Sequence, residues 1–439
     1  MSNEMKVIKN ASWIVMCRVI QAILALVVSA LSARYLGPSN YGIISYAASL
    51  TAYALPITQL GLNCTLVKEF MSRPQEEGKI LGTAIMMSVV SGLLNIGGIF
   101  AFLLIFNGDE PFTILVVLLY STSLIFQATE LIIYWYQTHY LSKYVSIVSL
   151  CAYVIVSVYK ITLLTTGKGV QWFALSNVID YLIISLALWM IYKRKRGQKL
   201  SISFSVGKRL LSKSSVYIVS GLMAVIYAQT DRIMLKNMIG DLETGYYSAA
   251  LNCAGMTSFI YTAIIDSMRP YVLEAKTTGA LDYKNRVKTL YSVIFYLSIL
   301  NSAFCVIFAK PMIFVLYGED FAPVASILMV LVWNIVFTYY GGAQSVWMLS
   351  ENKQKYLPLL GAIGAITNVV LNYLMIPWLH ASGAAVATLV TSLISNVLLC
   401  CLIKSLHGTI AIFVQSLNPK YFVNIFVKLY RKVKMKQHD

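Results

Sequence analysis

Apolar runs of roughly 20 residues, separated by short polar stretches, follow one another along the whole chain. About twelve can be read: 11–33, 42–66, 80–106, 112–134, 144–165, 170–192, 214–236, 246–268, 289–309, 321–348, 356–377 and 381–403. At 1.5 Å of rise per residue, each is long enough to cross a hydrocarbon core about 30 Å thick. Lipid offers no partner to a free backbone N–H or C=O, so the pattern predicts helices throughout. The opening MSNEMKVIKN is polar, the run behind it is full length, and no small-residue cleavage site follows. The expectation is a retained first helix rather than a signal peptide.

Composition agrees with the pattern. Of 439 residues, 58% are hydrophobic and 12% charged, too little charge for a soluble protein of this size. The formal net charge of +17 raises the question of nucleic acid, and its distribution answers it. With the N-terminus inside, the segment KRKRGQKLSISFSVGKRLLSK holds eight Lys or Arg, RPYVLEAKTTGALDYKNRVK five, and the tail beyond Ile403 seven. The other side has only Arg34, Lys168, Lys236 and Lys310 near its loops. This is the positive-inside bias; it places both termini in the cytoplasm and accounts for the charge without a nucleic-acid partner.

Two short stretches echo one another. LGPSNYGIISYAASL, from Leu36, is matched by IGDLETGYYSAALN, from Ile239; each has two glycines five apart, and the offset is 203. WYQTHYLSKY at Trp135 is matched by WMLSENKQKY at Trp347, each with a Trp eight residues before Lys-Tyr, at an offset of 212. The chain therefore divides into a six-helix lobe over 1–200, a second over 201–403, and a basic tail over 404–439 that reads as an amphipathic cytoplasmic helix on the membrane surface. Six is even, so the two lobes are parallel repeats, an arrangement found in alternating-access transporters.

Helical spacing shows where polar residues point. Ser248, Asn252, Gly255, Phe259, Thr262, Asp266 and Arg269 form one stripe, and the offset of 203 maps it onto Ser45, Ser49, Ala52, Pro56, Gln59 and Asn63. Arg18, Gln21, Ala25 and Ser32 share a face of the first run. In AVIYAQTDRIML, Asp231 continues a small-residue stripe with Gly221, Ala224 and Ala228, whereas Arg232 falls with Gln229 and Lys236. Asp231 is thus expected to face a gap between the lobes, and Arg232 to lie toward the outer mouth, where it could simply snorkel. Small and polar stripes face other helices or water rather than lipid, and the aligned stripes on helices 1, 2, 7 and 8 favour a shared aqueous cavity over tight packing alone. Arg18, about 10 Å in from the cytoplasmic end, Arg232 and Arg269 are the cations available to an anionic head group. Asp180, Asp231, Asp266 and Glu130 are candidates for ion coupling, although Lys160 and Asp180 could equally form a structural pair.

Other chemistry is sparse. Seven cysteines fall in apolar runs as small hydrophobes, and no CxxC, HExxH or phosphate-binding GxxxxGK[ST] occurs, so no metal, cofactor or catalytic set is expected. Trp13, Trp135, Trp172, Trp189 and Trp378 lie near run ends and read as an interfacial belt. A membrane glycan polymerase or ligase is the rival class, disfavoured because the extracytoplasmic loops are short.

At the last two runs the sequence resembles the polysaccharide-exporter (Wzx-type, O-antigen flippase) family. Its members show an N-x2-LN-x2-LIP element followed by G-A-A-x-A-T; here these are Asn368, Leu371, Asn372, Ile376 and Pro377, then Gly383, Ala384, Ala385, Ala387 and Thr388, with Met375 where Leu is usual. Gly37, Pro38, Tyr41 and Gly42, and Asp231 with Arg232, are similar to that family too. The resemblance implies the V-shaped fold of the multidrug/oligosaccharidyl-lipid/polysaccharide exporters and a site in the bacterial cytoplasmic (inner) membrane. It also implies flipping of an undecaprenyl-pyrophosphate-linked oligosaccharide, as for O-antigen or capsule. The implied partners are that lipid-linked glycan and membrane lipids, with the polysaccharide polymerase machinery a further candidate. A flippase for lipid II or a teichuronic-type precursor is the nearest alternative.

Overall fold

The computed structural model describes residues 3–422, with side chains at Met16 and Cys17 and from Ile20 onward, apart from Thr277 and Thr278. The elements are α1 (Asn3–Thr58), α2 (Leu66–Ser72), α3 (Glu77–Phe106), α4 (Pro111–Ser121), α5 (Ser123–Thr129), α6 (Ile132–Thr138), α7 (Ser142–Thr166), α8 (Val170–Arg194), α9 (Phe204–Met238), α10 (Asp241–Gly255), α11 (Ser258–Thr278), α12 (Ala280–Tyr317), α13 (Val324–Leu331), α14 (Asn334–Ser350), α15 (Leu357–Leu393), α16 (Leu399–Leu402) and α17 (His407–Ser416). Short 3-10 turns and one π-helical turn, Ile394–Leu398, fill the joints, and no strand occurs among the described residues.

Nine stretches among the described residues are long and apolar enough to cross a membrane, and the bent pair α10–α11 makes a tenth. The apolar runs outnumber these stretches because two joints are very short. Gly37 (φ 74°, ψ 167°) is the non-helical residue inside α1, and His380 (φ 52°, ψ −133°) is the one inside α15. Each of these helices therefore holds two of the apolar runs.

Packing divides the chain into two compact units. Unit 1 is Met1–Ser248 with Leu316–Phe321, and unit 2 is Ala249–Val315 with Ala322–Asp439. The border lies near Ser248 rather than residue 200 because α9 packs on α1 and α3. Within unit 1 the basic linker is strapped to α3: Ser203 donates its N–H to Thr83 Oγ1 at 3.0 Å, and Gly78 N–H donates to Gln198 Oε1 at 2.9 Å. Its charges are partly neutralised, since the buried Glu69 accepts from Lys213 at 2.5 Å and pairs with Arg209 at 3.3 Å.

Trp135 is a correction to the belt. It is only 4% exposed, packed against Tyr136 and Tyr192, and its indole Nε1 donates to Glu77 Oε2 at 2.9 Å. Glu77 is itself buried, and His139 Nε2 stands 3.5 Å from its carboxylate. Trp135→Phe keeps the ring packing but removes the donor from a buried carboxylate, a loss of about 1–3 kcal/mol. The variant should unfold several degrees below the unmodified protein when heated in detergent; an unchanged midpoint would mean the bond contributes nothing.

In unit 2, the first part of the tail is docked rather than free. Thr409 is buried and shares a hydrogen bond with Tyr291 at 2.6 Å, and Phe413 packs on Tyr340 and Phe295. The segment NIFVKLYRKVKMK lies outside the described residues. The buried motif asparagines Asn368 and Asn372 lie one turn apart on α15, and Asn372 Nδ2 donates to Asn368 Oδ1 at 3.1 Å.

The second sequence echo has a backbone counterpart. After α6, His139 N–H donates to Trp135 O at 3.2 Å and Leu141 N–H to Tyr136 O at 2.8 Å, with Tyr140 at φ 57°. After α14, Glu351 N–H donates to Trp347 O at 3.0 Å and Lys353 N–H to Met348 O at 2.7 Å, with Asn352 at φ 55°. Every participant in one turn maps onto the other at the offset of 212. Thr138 and Ser350, also so related, each donate to the carbonyl of their Trp at 2.8 Å.

Candidate functional site

The polar interior of unit 1 is built where α9 meets the second arm of α1, residues 38–58. Ser49 donates to Gln229 Oε1 at 3.1 Å, and Arg232 Nη1 donates to the same oxygen at 2.7 Å. Arg232 Nε is shielded from solvent and has no hydrogen-bond partner, and no carboxylate forms an ion pair with Arg232 among the described residues. The Tyr120 ring of α4 and the Asp180 carboxyl of α8 lie in the same electrostatic neighbourhood. Arg232 therefore turns into the helix bundle instead of reaching toward Lys236. Asp231, one residue earlier, is 4% exposed and accepts a hydrogen bond from the Tyr247 hydroxyl. Of the adjacent pair, the cation retains an unsatisfied donor, Nε, and the acid is packed.

Lys236 is the centre of a second cluster. Its side chain is 2% exposed, and Nζ donates to Glu110 Oε2 at 2.6 Å and Asp241 Oδ2 at 2.8 Å. Thr113 donates to Glu110 at 2.7 Å, and beside them Tyr46 donates to Asn107 Oδ1 at 2.8 Å. Partial burial opposes ionisation of Glu110, but hydrogen bonds from Lys236 and Thr113 and the Lys236 charge outweigh it and hold the carboxyl below its ordinary range.

Next to this cluster, two backbones touch. A Cβ built on Gly42 would stand 1.9 Å from the carbonyl oxygen of Asp241, and one built on Gly245 would stand 1.9 Å from that of Pro38. Pro38 plus 203 is 241, and Gly42 plus 203 is 245. The contact is reciprocal in the sense of a two-fold: residue i meets j and its equivalent meets the equivalent. Only glycine permits such an approach at either position.

The remaining sequence-derived residues are dispersed. Ser45 is buried, Gln21 and Gln59 are half-buried, and Asn63 is exposed. The side chain of Arg18 lies outside the described residues. Lys160 and Asp180 are within electrostatic reach of each other but form no ion pair within 4.0 Å, and Glu130 shares the Asp180 neighbourhood. In unit 2, Asn252 and Thr262 are exposed along α10 and α11, and Asp266 pairs with Arg269 at 3.2 Å, both side chains largely open. No group of three His, Cys, Asp or Glu able to hold a metal occurs among the described residues. Glu110, Tyr247 and Thr113 were missed by sequence reasoning; no local pattern links Glu110 to a lysine 126 positions away.

These features sit in a recognisable family. The sequence profile described as "Polysaccharide biosynthesis protein" matches residues 7–276. The chain belongs to that family. Its relatives include a "Putative O-antigen transporter" of Salmonella typhi, 25% identical over 139 residues, or 32% of this chain and 31% of that one. A "Probable flippase AglR" of Haloferax volcanii is 26% identical over 252 residues, 55% of this chain and 51% of that one. The chain thus spans about a third of the length of the first of these curated relatives and about half of the second. Among solved structures, the lipid II flippase MurJ in an inward closed conformation superposes with a TM-score of 0.73 at 14% identity, covering 94% of this chain and 92% of that one. A multidrug resistance MATE family transporter of the MOP superfamily, inward-facing, gives 0.71 at 13% identity, covering 92% and 97%. Identities this low speak for fold alone: this family member is a multi-pass, all-helical membrane protein with the MurJ- and MATE-like fold.

Proposed function

We propose that this protein is a flippase of the bacterial cytoplasmic membrane, moving an undecaprenyl-pyrophosphate-linked oligosaccharide by alternating access. The observation that carries the reading is Arg232, a guanidinium in an apolar helix with no ion-pair partner and an unsatisfied Nε. Such a group is costly inside a membrane unless an anion comes to it. A pyrophosphate is an anion with several acceptor oxygens, suited to a guanidinium fork. Arg18, Arg232 and Arg269 are read as its contacts, with Ser49 and Gln229 orienting Arg232. The glycan's hydroxyls need water or polar side chains along the way, while the polyprenyl chain stays in lipid.

Twelve crossings follow from counting the two arms of α1 and of α15 separately, with both termini on the basic, cytoplasmic side. An internal duplication is supported by the matching Trp135 and Trp347 turns and by the reciprocal glycine contact. On this reading, the Gly42–Gly245 contact and the Lys236 latch close the extracytoplasmic side, and transport requires them to part. Coupling to protons or cations would use Asp180, Asp231, Asp266 or Glu130. A pH gradient imposed across vesicles should then change the rate; equal rates would mean facilitated, uncoupled movement.

The cation reading is tested by replacing Arg18, Arg232 and Arg269 together with Ala. Transport of a pyrophosphate-linked glycan should fall by about a hundredfold or more, each lost charge-assisted contact removing roughly 1.5–3 kcal/mol, with the protein still inserted. Undiminished transport would sink it. The same assay run with lipid II separates the nearest alternative substrate.

A further inference from the structure

α10 ends at Gly255 and α11 begins at Ser258; Met256 and Thr257 form a turn between them, and the axis bends by 42°. Backbone that leaves the helix at membrane depth is tolerated where it lines a cavity, and broken helices are where transporters place their ligands. Here the break borders a cavity of about 200 Å³ inside unit 2, between α10, α13 and α14. Gly255 forms part of its wall, and a Cβ built there would meet nothing within 4 Å. Asn334, Thr338 and Tyr339 line it from α14. Thr338 Oγ1 donates to Asn334 Oδ1 at 3.0 Å, so the Asn334 carbonyl is engaged while its amide nitrogen has no partner among the described residues. Tyr261 stacks behind Tyr339, ring centroids 4.4 Å apart and planes at 21°. Leu251 and Leu331 supply apolar surface, and no Asp, Glu, Lys or Arg lines the space.

We propose that this cavity is a sugar subsite, taking one ring of the lipid-linked glycan. An uncharged lining does not suit a phosphate or a cation, which would lose water without gaining a counter-charge. An aromatic ring held rigid by a second ring, next to an amide donor and a hydroxyl, suits a ligand with an apolar face and a hydroxylated edge. A sugar ring has both. Gly255 leaves the room that any side chain would take. Arg269 lies 14 residues further along, about 20 Å at helical rise, so a pyrophosphate near Arg269 and a sugar in this cavity belong to one oligosaccharide-bearing lipid. The proposal rests on the flippase reading above.

The test uses the full chain in vesicles and two fluorescent lipids: a polyprenyl pyrophosphate carrying a tetrasaccharide, and one carrying the fluorophore on the pyrophosphate with no sugar. Gly255→Leu and Tyr339→Leu should each slow the tetrasaccharide lipid about tenfold and leave the sugarless lipid unchanged, whereas Tyr339→Phe should behave as the unmodified protein. Equal slowing of both lipids would mean that the substitutions only disturb the fold and would overturn the subsite, as would full activity of both Leu variants. If the unmodified protein moves neither lipid, the flippase reading fails, and the cavity is judged by binding of the free tetrasaccharide to the detergent-solubilised protein. Binding that Gly255→Leu abolishes keeps the subsite; no binding overturns it.

Discussion

If the protein is the flippase proposed above, Gly42→Ala and Gly245→Ala are each expected to slow transport about tenfold or more without preventing membrane insertion, because each puts a methyl group where a carbonyl oxygen already stands. A Cβ 1.9 Å from the oxygen of Asp241 or Pro38 cannot be relieved by a rotamer change, since both atoms belong to backbone. The two helix starts must move apart, an overpacking cost of about 1–3 kcal/mol, and every 1.4 kcal/mol shifts the closed state tenfold in population. The reciprocity gives a sharper expectation. Once the first methyl has opened the contact, the second meets little resistance, so the double variant should cost much less than the sum of the singles. Translocation rates of the four proteins check this directly. Additive losses would mean that the two glycines act independently and that the contact is not one joint.

Lys236→Met is expected to lower thermal stability by about 2 kcal/mol, less than the 3–5 kcal/mol of a fully buried pair because Glu110 and Asp241 are partly open to solvent. Met fills much the same volume, so the loss is of charge rather than of packing. Without the ammonium, two carboxylates face one another. The pH dependence distinguishes this from a packing defect. Glu110 is held below its ordinary range in the folded protein, so its contribution is complete above the unfolded value of about 4.3 and disappears as pH falls through the folded value. The unmodified protein therefore loses this stabilisation below about pH 4, while the variant gains as its carboxylates protonate. Unfolding midpoints of the two should differ most near pH 7 and converge in acid. A gap that stays constant with pH would assign the effect to packing.

Much of the fold was legible because hydropathy is a local property: the apolar runs at 80–106 and 144–165 correspond closely to α3 and α7. The joints at Gly37 and His380 were not, since one non-helical residue leaves almost no polar punctuation. The echoes at the glycines and tryptophans stood out because close approach and a fixed turn constrain residue type at particular positions, and the Trp135 and Trp347 turns share one hydrogen-bond pattern. The surroundings of Asp231 and Arg232 were not legible: Asp231 is buried against the Tyr247 hydroxyl, and Arg232 is held by Gln229. Adjacent residues differ by only 100° around a helix, and which of them is satisfied depended on Tyr247, Gln229 and Ser49, side chains on other turns and other helices. Trp135 was misplaced for a related reason. Depth along a run predicts an interface, but the Glu77 carboxylate 58 residues away supplies a buried partner for its N–H.

The most direct measurement follows a fluorescent undecaprenyl-pyrophosphate-linked oligosaccharide in vesicles containing the purified protein, recording over time how much head group a membrane-impermeant quencher reaches and, in the same sample, the length of the glycan. The account predicts that the protected fraction falls with time only when the protein is present, that the fall is lost when Arg18, Arg232 and Arg269 are Ala, and that glycan length stays constant. A protected fraction that never changes, or a glycan that grows, would contradict it.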